Sequence, residues 1–312
     1  MNKFTSLLIA LSCSVSAAFA QSNDLMDMLD KDGSKPKKKE EVTATFKATR
    51  IINGSSVQNL AAGVLDFRIS HRFGRLDQGL ENFLGLDNAT TKIGLDYGVT
   101  DWLMIGLAHS AYNKENEGFM KVRLLKQKKQ GTPITLTYFG STSIQTMTAP
   151  TLAAGQEWYF TNRMYFSNQL LVARKLNDNI SLQLMPTLIH YNLVDSTKFS
   201  NNTFAVGVGG RIKLSKRLAL TGEYFYRLNN TDLLFNGQRT YNALALGLDI
   251  ETGGHVFQLL FSNSPGMTER TFVGQTTDTW EKGAIHFGFN VSRVFTVVKP
   301  KEFRKSAEKK EW

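Results

Sequence analysis

The sequence predicts an all-β protein: a twelve-stranded antiparallel transmembrane β-barrel. First, apolar residues alternate with small or polar ones in long runs, most clearly over Leu244–Ile250 and His255–Phe261. This period of two places one set of side chains on each face of a strand. Second, such runs approach the roughly 9–11 residues with which a tilted strand crosses a bilayer. Third, short and long connections alternate along the chain, as they do in outer-membrane barrels.

The N-terminus has the pattern of a secretory signal peptide over residues 1–20. Lys3 precedes the mostly apolar run Phe4–Leu11, and the small-x-small sequence Ala18-Phe19-Ala20 is typical of a cleavage site. The single cysteine, Cys13, lies inside this segment. Its lipidation is the weaker alternative, because the residues before it match a lipoprotein signal poorly. We therefore expect a mature chain without disulfides or thiolate metal sites.

Three further segments lie outside the predicted barrel. Residues 21–41 are expected to be a periplasmic leader with a charged linker, and residues 299–312 a basic periplasmic tail. Residues 42–60 alternate only weakly and contain the turn signal Asn53-Gly54. We interpret them as an extra strand, or as a luminal or periplasmic segment.

The barrel is predicted over residues 61–298, and each of its strands alternates in the same way. The first six strands are Ala61–Phe73, Thr91–Val99, Trp102–Ser110, Phe119–Gln127, Pro133–Thr142 and Arg163–Arg174. Tight turns at Thr100-Asp101 and Lys128–Gly131 connect the second strand to the third and the fourth to the fifth. The last six are Ile180–Asn192, Thr203–Leu214, Leu218–Arg227, Leu244–Ile250, His255–Phe261 and Gly283–Val297. If the short turns are periplasmic, these strands form an even barrel with both termini inside the envelope.

Three motifs resemble a family of Gram-negative outer-membrane β-barrel proteins of unknown function. They are Asp66–Gly74 (DFRISHRFG), Gly94–Gly106 (GLDYGVTDWLMIG) and Leu248–Met267 (LDIETGGHVFQLLFSNSPGM). The resemblance covers nearly all of the chain beyond residue 42. It implies the barrel fold and the outer membrane of a Gram-negative bacterium, but it offers no catalytic residue to transfer.

Charged residues on the polar faces of the strands are the candidate functional residues, because they are expected to line the lumen. They are Asp66, Arg68, Arg72, Lys92, Asp96, Lys121, Arg123, Arg211, Lys213, Glu223, Arg227 and Asp249. Eight are basic and four are acidic, and a surplus of Arg and Lys favours anions in a pore. The alternative, of equal weight, is salt-bridged packing in a barrel of intermediate width. Lys213 and Arg227 also suit the headgroup region at a strand end.

No pattern of residues indicates an enzyme, a cofactor or a metal site. The five histidines lack metal-ligand spacing, and there is no GxSxG elbow. A Ser-His-Asp/Asn hydrolase on the barrel wall is a remote alternative. Ser70 with His71, and Ser110 with His109, cannot supply it, because sequence neighbours point to opposite faces of a strand.

These features predict a passive pore for small solutes, with anions favoured by the charge count. The alternative is a non-conducting structural or partner-binding protein of the envelope. The expected partners are outer-membrane lipid and an envelope protein bound through the leader or the tail. The positive net charge of +10 does not indicate nucleic acid, because part of the surplus lies in the two tails and no aromatic-basic recognition motif accompanies it.

Overall fold

The computed structural model describes residues 40–148, 157–194, 200–230, 234–235 and 237–298. The expected signal peptide, nearly all of the expected leader and the expected C-terminal tail lie outside the described residues. None of the helices in the described part is long and apolar enough to cross a membrane.

Twelve long strands form one closed antiparallel barrel, numbered here in chain order. They are β1 Val64–Arg75, β2 Ala89–Gly98, β3 Leu103–Ser110, β4 Glu115–Leu125, β5 Thr135–Gln145, β6 Met164–Lys175, β7 Ile180–Tyr191, β8 Asn202–Lys213, β9 Leu218–Arg227, β10 Ala243–Thr252, β11 His255–Ser262 and β12 His286–Thr296. Each strand pairs with its sequence neighbours, and β1 closes the barrel on β12 with Ser70 opposite Asn290. The predicted fold class and strand number are confirmed.

The two ends of the barrel differ in the length of their connections. The short connections, 99–102, 126–134, 176–179, 214–217 and 253–254, lie with both ends of the barrel chain at what we call the turn end. The connections 76–88, 111–114, 146–163, 192–201, 228–242 and 263–285 lie at the loop end, and all of them except 111–114 are longer than any connection at the turn end. This asymmetry is the one expected of an outer-membrane barrel.

The outer face of the barrel is a belt of exposed apolar side chains. Leu107 is 69% exposed, and Leu246 and Val208 are each 50% exposed. The alternate residues of the same strands, such as Asp249 and Gln258, are buried in the interior. A soluble protein rarely exposes so large an apolar surface, whereas a barrel in lipid must do so. The outer face is therefore the lipid-facing surface.

Three details of the fold differ from the sequence-based expectation. Strand β4 begins at Glu115, so Glu115 and Glu117 belong to the wall rather than to a loop. The long connection 263–285 contains a short helix, α1 Glu269–Gly274, every residue of which is buried. A two-stranded hairpin, Leu234–Phe235 with Gln238–Arg239, also lies in a segment expected to be a loop.

Replacing Leu246 by Arg tests the lipid-facing surface. Because Leu246 lies near the middle of β10 and faces outward, a guanidinium there is expected to cost about 2–4 kcal/mol of stability. Urea unfolding in lipid vesicles measures the loss. Ser215→Arg adds the same charge at an exposed position of the turn end and should change little. Equal stability of the two variants would contradict the assignment of this surface to lipid.

Candidate functional site

Residues 45–60, which we call the plug segment, lie inside the barrel. All of them are buried except Lys47 and Gln58. The segment has no strand or helix, and its middle forms a tight hairpin in which Ile51 N–H donates to Gly54 O at 2.8 Å and Ser56 N–H to Thr49 O at 3.0 Å. The turn signal at Asn53-Gly54 therefore marks the tip of this hairpin. The weakly alternating stretch 42–52 adds no strand to the wall, because β1 already pairs with β12.

Glu223, on β9, binds the tip of the hairpin. Its carboxylate accepts hydrogen bonds from the backbone N–H groups of Asn53 at 2.8 Å, Gly54 at 3.0 Å and Ile52 at 3.3 Å. Successive backbone N–H groups that converge in this way form an anion-binding nest. Hydrogen bonds to a charged acceptor are stronger than neutral ones. Glu223 thus binds the hairpin to the wall through the three backbone N–H groups at the hairpin tip.

Amide side chains of three other strands bond further backbone groups of the hairpin. Gln183 on β7 donates to Ser55 O at 2.7 Å and accepts from Val57 N–H at 2.8 Å. Gln258 on β11 donates to Ile51 O at 2.7 Å, and Asn290 on β12 donates to Ile52 O at 3.0 Å. A buried backbone group without a partner costs free energy. The wall therefore supplies the partners that make burial of an irregular segment stable.

The plug segment also has an apolar side that packs in the barrel core. Phe46, Ile51 and Ile52 are at most 2% exposed and join one cluster with core residues of the wall. Gly209 on β8 leaves room for Ile51, since a Cβ at this glycine would lie 2.4 Å from Ile51 Cδ1. Wall and plug segment are thus complementary in shape as well as in hydrogen bonding.

Helix α1 fills the lumen on the side of the loop end. Phe272 packs edge-on against Phe225 with ring centroids 5.1 Å apart. Arg270 forms an ion pair with Glu115 on β4 and lies over the Tyr165 ring at 3.9 Å. Thr268 caps the helix together with Thr271 and donates to Glu115 at 2.6 Å. Helix α1 and the residue that caps it are therefore held to the wall by an ion pair, a hydrogen bond and ring contacts.

The plug segment and α1 meet inside the barrel. Arg50 of the plug segment donates to Glu269 of α1 at 2.8 Å, and its other terminal nitrogen lies 3.7 Å from Glu117 on β4. Lys92 on β2 pairs with Glu117 at 2.5 Å and donates to Met267 O at 2.9 Å. All four charged groups are buried. They connect the two lumen-filling segments to each other and to the wall.

The structure places the twelve predicted lumen residues in two groups. The buried ones are Asp66, Arg68, Arg72, Lys92, Asp96, Lys121, Arg211, Glu223, Arg227 and Asp249. Arg123 and Lys213 are only partly buried and lie toward the turn end of β4 and β8. Of the ten, Arg68 is paired with Asp66 and Asp96, each at 2.8 Å.

Five further buried charges were not predicted from the sequence. They are Arg50, Glu115, Glu117, Glu269 and Arg270. With them, the buried side chains of the described residues include eight of Lys or Arg and seven of Asp or Glu. The surplus of cations that predicted an anion-favouring lumen is therefore almost absent. Of the five, Glu115 and Glu117 had a signal in the sequence: they lie at every second position before Phe119 and Lys121, and so continue the inward-facing set of β4 toward its start.

The outer wall carries two cross-strand pairs of histidine and asparagine. His109 Nδ1 lies 2.9 Å from Asn116 Oδ1, and His190 Nδ1 lies 2.7 Å from Asn202 Oδ1. Among the described residues, no serine or threonine hydroxyl bonds the other ring nitrogen of either histidine. Likewise, the described residues include no cluster of three or more His, Cys, Asp or Glu that could hold a metal ion.

Comparisons with known proteins point to a membrane barrel. A family model described as "Membrane bound beta barrel domain (DUF5777)" matches residues 46–295, which include nearly all of the plug segment. No curated protein matches the chain.

Among solved structures, the NanC porin is 9% identical with a TM-score of 0.44, over 75% of this chain and 100% of that one. Outer membrane phospholipase A from Escherichia coli is 12% identical with a TM-score of 0.41, over 79% and 98%. Omp33 of Acinetobacter baumannii is 10% identical with a TM-score of 0.37, over 76% and 100%. Likenesses this distant say nothing about what this chain does.

Replacing Glu223 by Ala tests how the plug segment is held. The substitution removes three hydrogen bonds to a charged acceptor, so about 1.5–3 kcal/mol or more of the local stability should be lost. Amide hydrogen exchange of residues 51–57, measured by mass spectrometry, should accelerate strongly. In Glu223→Gln, which keeps one carbonyl oxygen, the exchange rate of these residues should lie between the rates in the native protein and in Glu223→Ala.

Glu40→Gln is the control for this measurement. The pKa of Lys129 is raised by its hydrogen bond to the Glu40 carboxylate. However, both side chains of this 2.8 Å pair are more than 60% exposed, and such pairs contribute little to stability. Exchange in the control should therefore equal that of the native protein. Complete exchange of residues 51–57 within seconds in the native protein would contradict the bonded plug segment.

Proposed function

The chain belongs to the membrane-bound β-barrel domain family (DUF5777), and from this premise we propose that it is an outer-membrane pore of a Gram-negative bacterium, closed by its own plug segment. The pore conducts small polar solutes when residues 45–60 leave the lumen and α1, to which Arg50 links them, moves aside. In the closed state, the plug segment and α1 together occupy the interior of the barrel.

One observation carries this proposal: the plug segment fills the lumen without being part of the barrel. Its one isolated β-bridge, between Arg50 and Ser55, is internal to the segment, while the wall closes through its own twelve strands. Withdrawal of the segment therefore breaks no ladder hydrogen bond. It leaves behind a wall lined by polar side chains such as Glu223, Gln183 and Asn290, which suits the passage of hydrated solutes.

The charge balance of the interior supports a pore of low selectivity. Without Arg50, which leaves with the plug segment, the described buried side chains include seven cations and seven anions, and charge rings select ions only when one sign dominates. We therefore assign small polar solutes as the class that passes and no preference for anions.

A closed scaffold that binds an envelope partner is the second candidate. The observation in its favour is the buried link of Arg50, Glu117, Lys92 and Glu269 between the plug segment and α1. Removing one member of such a network leaves an unpaired buried charge, which costs about 3–5 kcal/mol. A barrel that never opens gains rigidity from this link, and its loops and tails would then carry its function.

Conductance in planar bilayers separates the two candidates. The native mature chain should be silent, because its lumen is filled. Glu223→Ala should show stepwise openings, because the hairpin tip loses its main contact with the wall. Glu40→Gln, which alters an exposed pair, should remain as silent as the native protein.

Two results would contradict the proposed pore. Steady, large conductance of the native chain would exclude closure by the plug segment. Continued silence of Glu223→Ala, and of a variant that also carries Gln183→Ala, would favour the scaffold if both proteins show the heat-modifiable gel shift of folded barrels.

A further inference from the structure

A small cavity lies between the plug segment and the wall. Its volume is about 20 Å³, which exceeds the roughly 10–15 Å³ that one water needs and is enough for one monatomic ion. The charged groups that line it are four cations and one carboxylate: Arg50, Arg68, Arg72, Lys92 and Asp96. The lining is therefore strongly positive, although the interior as a whole is nearly balanced.

Three of these cations already have carboxylate partners. Arg68 is paired with Asp96 at 2.8 Å, Arg50 with Glu269 at 2.8 Å, and Lys92 with Glu117 at 2.5 Å. These pairs leave Arg72 as the lining cation whose charge has no direct partner.

Arg72 is 1% exposed, and every group that it bonds is neutral. It donates to His71 O at 2.8 Å, Phe289 O at 3.4 Å, Asn290 Oδ1 at 3.0 Å and Asn53 Oδ1 at 2.8 Å. Its Nε has no hydrogen-bond partner, and the guanidinium forms no salt bridge with any described residue. A lysine in this place could lose its proton, but an arginine remains charged.

The carboxylate that acts on Arg72 at longer range is Glu223. Both of its oxygens are already bound by the N–H groups of residues 52–54, so its charge is largely compensated by the hairpin tip. An isolated buried charge is unfavourable unless a partner compensates it. None of the described residues supplies such a partner in direct contact with Arg72.

We propose that this cavity binds one small inorganic anion, chloride under ordinary conditions, as the counterion of Arg72. The ion lies beside Arg72 in the cavity, whose lining also includes Asn53, Ser70, Gly94 and Met267. It neutralises the guanidinium and thereby stabilises the contact of the hairpin tip with β1. The site belongs to the closed state and does not depend on whether the barrel conducts.

Bromide provides the most direct test, because it replaces chloride and scatters anomalously. Crystals of the native mature protein grown in sodium bromide should show an anomalous peak in the cavity, within hydrogen-bonding distance of the Arg72 side chain. A cavity that contains only water, without an anomalous peak, would overturn the proposal.

Urea unfolding in detergent gives a second test in solution. Urea is used because guanidinium chloride would itself supply the anion. At equal ionic strength, the native protein should be more stable in sodium chloride than in sodium gluconate. At a chloride concentration ten times the dissociation constant, the unfolding equilibrium constant should fall about tenfold.

Arg72→Met and Arg211→Met form a matched pair of variants for this measurement. Each removes a buried arginine, but Arg211 is paired with Glu251 at 2.5 Å and does not line the cavity. The chloride dependence should vanish in Arg72→Met and persist in Arg211→Met. Its persistence in Arg72→Met, or its absence from the native protein, would contradict the proposal. If Arg72→Met does not fold, the native protein in bromide and in the two salts still decides the question.

Discussion

The need to satisfy buried polar groups governs this structure. An irregular segment lies inside a barrel, away from bulk solvent, so its backbone N–H and C=O groups need partners from the wall. Glu223, Gln183, Gln258 and Asn290 supply them from four different strands. The polar interior is therefore fitted to one particular occupant. This fit distinguishes a built plug from a peptide that happens to lie in a pore.

The buried charged groups also need partners inside the barrel. The plug segment brings Arg50 into the lumen, and the loop end brings Glu269 and Arg270. Each finds an opposite charge on the wall or on the other segment. Among the described residues, the buried charges of the wall already balance, with six cations and six anions, and the plug segment and α1 add two cations and one anion. Among the described residues, Arg72 is the cavity-lining cation that has no carboxylate in direct contact, and the anion that we propose is its counterion.

The sequence predicted the wall far better than the contents of the lumen. Lipid outside and polar groups inside impose a period of two on every strand, so the fold, the strand number and the family resemblance were all confirmed. Residues 45–60 have no such period, because contacts from distant strands determine their position. The predicted strand Phe119–Gln127 begins after Glu115 and Glu117, because these two residues precede the first apolar side chain of the alternating run. Helix α1 has only six residues, too few to show an amphipathic pattern.

The location of the plug segment is the central claim, and thiol labelling tests it most directly. In a background with Cys13→Ser, the variant Ser56→Cys places a thiol where the native side chain is fully buried. Gly253→Cys places one in an exposed turn. With the folded protein in lipid vesicles made permeable to the reagent, a charged maleimide should label Gly253→Cys within minutes and leave Ser56→Cys unlabelled until the protein is unfolded. Equal labelling rates for the two folded variants would show that residues 45–60 do not lie in the lumen.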